Sequence, residues 1–307
     1  MQAPIYINSG RPGWHVLITA GVHGDEYEPI LAALELAKKI PALLQKGSVT
    51  IVPIVNTSAA SIDNRLGADG CDLARICPGN LNGSASEISA AKVSSLIREA
   101  DYYIDMHTGG KVFTIFPLAG YMLHSSADIL IKQQNMAHAF NLPVVWGTDS
   151  LPNGRTLSVA RDANVPAIYV EYGGGNQVQS IIIEKYEQGC LNVLRYLNMI
   201  NYESIENTQQ VKYWVEDYTP NNGHLQTKLP APCEGIFIPV VTLGQMVVQN
   251  QLIGSITNFN TNIQLNVYAD LAGMILFLRD AAVVKTGDSL GGILPVTASH
   301  KLVIHGK

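Results

Sequence analysis

The sequence predicts an α/β protein: a mixed, largely parallel sheet flanked by helices, followed by a C-terminal all-β unit. Three observations lead there. Residues 14 to about 200 alternate short β-branched apolar runs with helix-like segments. After Asn201 the chain turns polar and then gives only short strand-like runs and turns. Within that second part an internal repeat is visible. We therefore divide the chain into residues 1–205 and residues 206–307.

The elements follow in order. Val16 to Ala20 reads as a buried strand, and a helix-like segment begins after Glu26. Only about thirteen residues precede that strand, so an edge strand is expected to be absent or supplied by a neighbouring copy in a homo-oligomer. Val49 to Val55 is a second apolar run, and Asn56 to Asn80 is a loop rich in glycine and asparagine. Ala85 to Ala100 has the spacing of an amphipathic helix, with Ser84 or Ser86 as its N-cap. Tyr102 to Met106 and Ala167 to Val170 read as strands. Ile181 to Ile200 reads as a long helix with Val193, Leu194, Leu197 and Ile200 on one face.

In the repeat, Gly235 to Val240 and Met246 to Ile256 are echoed by Gly273 to Leu278 and Val283 to Ile293. Each half reads as strand, turn, strand, turn, strand. Two such halves predict a pseudo-two-fold β-sandwich in which each covers the other's apolar face. The pattern resembles the biotinyl/lipoyl carrier fold, whose lysine sits on the hairpin joining the halves. Here the joining segment, Thr257 to Leu271, has no lysine. A structural or capping β-unit without a covalent cofactor is expected.

Composition sets the class. The 307 residues are 47% hydrophobic with a net charge of −5, enough to bury a large core. No basic run speaks for nucleic acid, and no apolar run is long enough to span a membrane. Met1-Gln2-Ala3-Pro4 has no signal-like features. Cys71, Cys77, Cys190 and Cys233 show no paired spacing, so a reduced, cytoplasmic protein is expected.

The chemistry concentrates at strand ends. His23 and Glu26, in Gly21-Val22-His23-Gly24-Asp25-Glu26, follow the first apolar strand with a spacing that lets both reach one small cation. Imidazole and carboxylate are ligands that zinc accepts, and His107, in Asp105-Met106-His107-Thr108-Gly109-Gly110, is the candidate third ligand. Either pair alone could be an ordinary hydrogen-bonded pair. Arg65 and Arg75 lie in the Asn56 to Asn80 loop, and their planar forks suit a carboxylate or a developing oxyanion; surface arginines are the alternative. Glu171 ends another buried strand before three glycines, where a carboxylate is either paired or used for proton transfer.

Together, Gly-x-His23-Gly-Asp-Glu26, Arg65, Asp72-Leu-Ala-Arg75, Asp105-x-His107-Thr-Gly-Gly and Val-Glu171-x-Gly-Gly-Gly resemble the succinylglutamate desuccinylase/aspartoacylase family. The glycine runs look most like its N-acetyl-diaminobutyrate deacetylase branch. The resemblance implies a zinc carboxypeptidase-like fold and one zinc per chain, held by His23, Glu26 and His107. It also implies Glu171 as general base and acid, Arg65 as the group polarising the scissile carbonyl, and Arg75 as the holder of a substrate carboxylate. Asn56 and Arg161 complete the substrate-binding candidates. The implied reaction is removal of an N-acyl group from a small acylated amino acid. A zinc carboxypeptidase acting on a peptide or cell-wall fragment, and a non-catalytic metal-containing binding protein, are the alternatives. Two positions depart from the family: Ala74 stands where an asparagine is usual, and Cys77 where a phenylalanine is usual.

Overall fold

The computed structural model describes residues 1–201, 210–220, 222–223 and 228–296. In chain order the elements of the first part are β1 (Ile5–Asn8), β2 (His15–Thr19), α1 (Tyr27–Leu43), β3 (Ser48–Val52), α2 (Thr57–Ser61), α3 (Leu73–Ile76), α4 (Ala85–Glu99), β4 (Tyr102–His107), β5 (Phe113–Met122), α5 (Ala127–Phe140), β6 (Val144–Thr148), α6 (Thr156–Asp162), β7 (Ala167–Gly174), α7 (Ser180–Tyr196) and β8 (Tyr213–Glu216). The remainder is all strand: β9 (Gly235–Pro239), β10 (Met246–Val247), β11 (Leu252–Asn258), β12 (Ile263–Tyr268), β13 (Gly273–Arg279), β14 (Val283–Val284) and β15 (Gly291–Leu294). The expected boundary at 205/206 and the residues after 296 lie outside the described residues.

The sheet is mixed, as expected. Its order is β1-β3-β2-β4-β7-β5-β13-β10, with β6 and β8 continuing beside β5. β2, β3, β4 and β7 run parallel, β1 is antiparallel to β3, and β5 is antiparallel to β7 and β13 but parallel to β6. Alternation along β2 explains the layers. Val16 and Ile18 point to the face covered by α1, α5 and α7, where Leu36, Ile40, Phe140 and Leu194 pack. Leu17 points to the other face, against Val93 and Ile97 of α4 and Leu157 of α6. Both faces of the central strands are covered, so these strands read as continuous apolar runs.

Two expectations are corrected here. An edge strand is present within the chain: β1 pairs antiparallel with β3, Ile5 opposite Ile51. The last helix stops at Tyr196 rather than Ile200, because Asn198 takes a left-handed conformation, φ 55°, and Ile200 bridges back to Leu44. Ser84 is the N-cap of α4, forming a capping box with Glu87.

The repeat is built by exchange of short strands. β9 pairs with β11 and with β14 from the second half, and β13 pairs with β15 and with β10 from the first. The registers correspond: Val247 lies opposite Gly273, and Val284 opposite Gly235. Phe237, Ile253 and Ile256 share one apolar cluster with Val247, Ile275 and Leu278. The joining segment adds β12 as an edge strand beside β11, an element without a repeat partner. β12, β11, β9 and β14 form a separate four-stranded sheet. Phe277, Leu278 and Arg279 of β13 pair with Ile115, Thr114 and Phe113 of β5, which joins β13, β10 and β15 to the central sheet. β8, beyond the expected boundary, also returns to that sheet, parallel to β6.

Candidate active site

β2 and β4 end side by side, and β7, expected to end before Glu171, runs past them to Gly174 with Glu171 level with the end of β4. The turn after β2 delivers His23 and Glu26 before α1 begins. Gly24 in that turn lies against α2, where a Cβ would sit 2.1 Å from the Ala59 carbonyl carbon. His107 is the last residue of β4 and lies in register with Glu171 of β7. The glycine runs beyond them interlock: Gly109 N–H donates to the Gly173 carbonyl, and Gly175 N–H to that of Gly110.

Glu26 stands between the two imidazoles. Its Oε1 is 2.7 Å from Nδ1 of His23, and its Oε2 is 3.0 Å from Nδ1 of His107. One donor atom from each of the three residues lies within 4.8 Å of the others, and all three are buried. The outer nitrogens face carboxylates, His107 Nε2 at 3.1 Å from Asp105 and His23 Nε2 at 3.3 Å from Asp72. Asp105 is fully buried and held by the Thr19 and Thr156 hydroxyls, which donate to it. His107 is thus oriented as metal-binding histidines are, one nitrogen inward and the other on an acid, whereas His23 Nε2 faces Asp72 without a hydrogen bond.

Charge balance favours a cation here. Burial pushes His107 down, but Asp105 and Glu26 outweigh it and hold its pKa well above the ordinary imidazole value. Burial pushes Glu26 up, and the two histidines more than reverse that. The donor set, two imidazoles and a carboxylate with acidic groups behind them, fits a divalent ion of the zinc type.

Glu171 has the opposite environment. Its Oε2 is enclosed without a hydrogen-bond partner. Burial pushes its carboxyl up to about 8, aided by Glu26 and opposed by His107 and Arg65. Arg65 reaches the centre from the loop after α2. Its Nε and Nη2 both donate to Asp72 at 3.0 Å, and Nη1 lies 3.4 Å from His23 Nδ1. Asp72 caps α3 through Ala74 N–H. Burial raises its carboxyl, but His23, Arg65 and Arg75 together hold it below the usual range. Arg75 donates to the Ala74 carbonyl at 2.8 Å.

One cavity is lined by His23, Glu26, His107, Glu171, Arg65, Arg75 and Ala74. Two substrate-binding candidates are not among its lining residues. Asn56 is fully buried as the N-cap of α2, accepting from Ala59 N–H and donating to Ser86. Arg161 turns to the loop before α6, donating to the Ser150 and Pro152 carbonyls and to Asn153. Both are explained by local structure. Residues not singled out from the sequence complete the wall: Arg155, Trp146, Tyr169 and, from the C-terminal strands, Phe277. Tyr169 carried a signal, since it lies two residues before Glu171 on one strand and so shares its face. Trp146 and Phe277 carried none.

The fold and site together define a hydrolase-type α/β scaffold with a buried His/Glu/His cluster whose donor atoms could hold one metal ion. The model of the succinylglutamate desuccinylase/aspartoacylase catalytic domain matches residues 12–197, and the chain belongs to that family of deacylating enzymes. An N-alpha-acetyl-L-2,4-diaminobutyric acid deacetylase of Halomonas elongata is 28% identical over 311 aligned residues, covering 97% of this chain and 87% of its own. A succinylglutamate desuccinylase/aspartoacylase crystal structure from Rhodobacter sphaeroides superposes with a TM-score of 0.82 at 26% identity, covering 92% of this chain and 86% of that one. The ectoine utilization protein EutE (DoeB) of Ruegeria pomeroyi shares the fold, with a TM-score of 0.85 at 23% identity over 94% of this chain and 87% of its own. Among the described residues, no helix is long and apolar enough to cross a membrane.

Proposed function

We propose that this protein is a zinc-dependent amidohydrolase that removes the N-acyl group of a small acylated amino acid. The observation that carries the reading is the joint placement of the His23, Glu26 and His107 donor atoms and the unpartnered Glu171 oxygen at one cavity. His23, Glu26 and His107 would hold one zinc per chain, which when bound acts as a Lewis acid and makes water a nucleophile near neutral pH.

The chain's own residues would do the rest. Glu171 acts in its ionised form, which a cation bound beside it would favour: it takes the proton of the attacking water and delivers it to the leaving amine. Arg65, anchored by Asp72, presents its guanidinium to the carbonyl oxygen as negative charge develops there. Arg75 holds the substrate carboxylate, and Asp105 keeps His107 in one orientation. We read the C-terminal strands as a β-sandwich like that of biotinyl/lipoyl carriers, used as a wall rather than a carrier. Its Phe277 helps enclose the cavity, which suits a small substrate better than a peptide.

The test is metal analysis of the purified protein followed by amine release from a panel of N-acetyl and N-succinyl amino acids. Stoichiometric zinc, with turnover that falls about 10²–10⁴-fold in Glu171→Gln at unchanged metal content, is the expected result. Near-normal turnover in that variant would remove Glu171 from the mechanism.

A further inference from the structure

We propose that Asp63 is a positioning residue for Arg65, acting through a clasp that it forms with Tyr27 and Lys111 outside the cavity. The proposal deepens the amidohydrolase reading above and rests on it. Three segments meet at Asp63. Tyr27 follows Glu26 and opens α1, Lys111 stands four residues after His107, and Asp63 stands two before Arg65. The Tyr27 hydroxyl and the Lys111 ammonium both donate to the Asp63 carboxylate. The ammonium also donates to the Asp63 carbonyl at 2.9 Å. Lys111 is itself tied down, because its backbone N–H donates to Asp25 at 3.1 Å. One carboxylate thus joins the loop that carries Arg65 to the segments that deliver Glu26 and His107.

The residue type breaks a local rule. Asp63 ends α2 in the left-handed conformation, φ 52°, with its N–H on the Ala60 carbonyl at 3.2 Å. Glycine or asparagine is usual there, and the negative end of a helix disfavours a carboxylate. An aspartate therefore gains nothing from its own helix at this position. Its charge is answered across the loops, by Lys111 and then Tyr27, which hold the carboxyl below its ordinary pKa. A residue that its helix disfavours, and that distant segments answer, marks a contact kept for more than local stability.

The path from Asp63 to the centre is short. The Asn64 carbonyl, between Asp63 and Arg65, accepts the Gly24 N–H at 3.0 Å. That bond ties the backbone beside Arg65 to the residue after His23, and a shift at Asp63 passes directly to it. At the far end of its side chain, Arg65 Nη1 lies 3.4 Å from His23 Nδ1. Tyr27, Asp63 and Lys111 are not among the residues lining the cavity, whereas Arg65 is, so the clasp acts through Arg65.

Two substitutions isolate the clasp. Asp63→Asn keeps a residue that tolerates the left-handed backbone and removes the charge, and Asp63→Gly removes the whole side chain. Losing an oxyanion donor outright costs about 10²–10³ in kcat, so displacing one should cost part of that: about 5–30-fold in Asp63→Gly and less in Asp63→Asn. Lys111→Met, which opens the clasp from the other side, should match Asp63→Asn. Zinc content should not change. In an Arg65→Met background, Asp63→Gly should lower kcat no further, because both changes remove the same contribution. An unchanged kcat in Asp63→Gly, or the same fold loss with and without Arg65, would overturn the proposal. Hydrogen exchange gives a readout without turnover: the Gly24 and Leu66 amides, both held by Asn64, should exchange severalfold faster in Asp63→Gly. Faster exchange with no hydrolysis of any substrate by the native protein would sink the amidohydrolase reading and leave the clasp standing. Hydrolysis by the native protein, with rate and exchange both unchanged in Asp63→Gly, would do the reverse.

Discussion

Replacing Glu171 by glutamine should change how the stability of the metal-stripped protein responds to pH. Its carboxyl ionises near 4.5 in the unfolded chain, whereas burial pushes it up to about 8 in the cavity. Between those values the folded protein keeps a proton that the unfolded chain has released. Stability is therefore lost as the pH rises through that window, and the loss levels off above it. Each pH unit inside the window is worth about 1.4 kcal/mol. From about pH 5.5 to about pH 7.5 the native chain should lose about 2–3 kcal/mol relative to Glu171→Gln, whose amide does not titrate. Groups that titrate alike in both proteins cancel in the difference. Urea denaturation of the two stripped proteins across that range measures it. A difference that stays flat with pH would mean that Glu171 is ionised throughout. The reading that burial in this cavity holds the carboxyl protonated would then be refuted.

The other predictions address neighbouring parts of the site. Asp105→Asn should weaken zinc binding about 10–100-fold by releasing the outer nitrogen of His107, as chelator competition would show. His107→Ala should lose stoichiometric zinc altogether; full metal content in that variant would reassign the ligands. Gly120→Ala should destabilise the fold by about 1–3 kcal/mol in chemical denaturation, because the added Cβ would meet the Tyr169 ring at 2.1 Å. Ala74→Asn should shift relative rates across the acyl-amino-acid panel, since it adds a donor beside Arg75. If Arg75→Ala is harmless on every substrate, no carboxylate is held there.

How much of this was legible follows from which signals are local. The strands β2, β3 and β4 are largely buried on both faces, so each appears as a continuous apolar run, and His23, Glu26 and His107 lie at or just beyond the ends of two of them. His23, Glu26, His107 and Glu171 could therefore be placed together from sequence position alone. The repeat was equally plain, because each half keeps the same order of strand and turn. What was not legible depends on pairing between distant segments. β5 and β13 are far apart in sequence, and nothing in either predicts that Phe113 and Arg279 pair and bring Phe277 to the cavity. β1 is only four residues long and half-exposed, too short to show a period.

The two arginines around α6 show why residue type without placement is a weak guide. Arg155 and Arg161 lie six positions apart, about 1.7 helical turns, so they leave α6 in different directions and residue type alone does not say which reaches the cavity. The ends of the helix decide. At its N-terminus, Thr156 donates to Asp105 beneath His107, which fixes the first turn against the His23, Glu26 and His107 cluster and brings Arg155 with it. At its C-terminus, Arg161 donates to the carbonyls of Ser150 and Pro152 and closes that loop instead. One arginine is used up by backbone acceptors, and the other is left with an unpaired buried donor, its Nε. In a folded chain an unspent donor of that kind is a better pointer to a ligand than the presence of a charged residue in a motif, because burial without a partner is tolerated only where something else completes it.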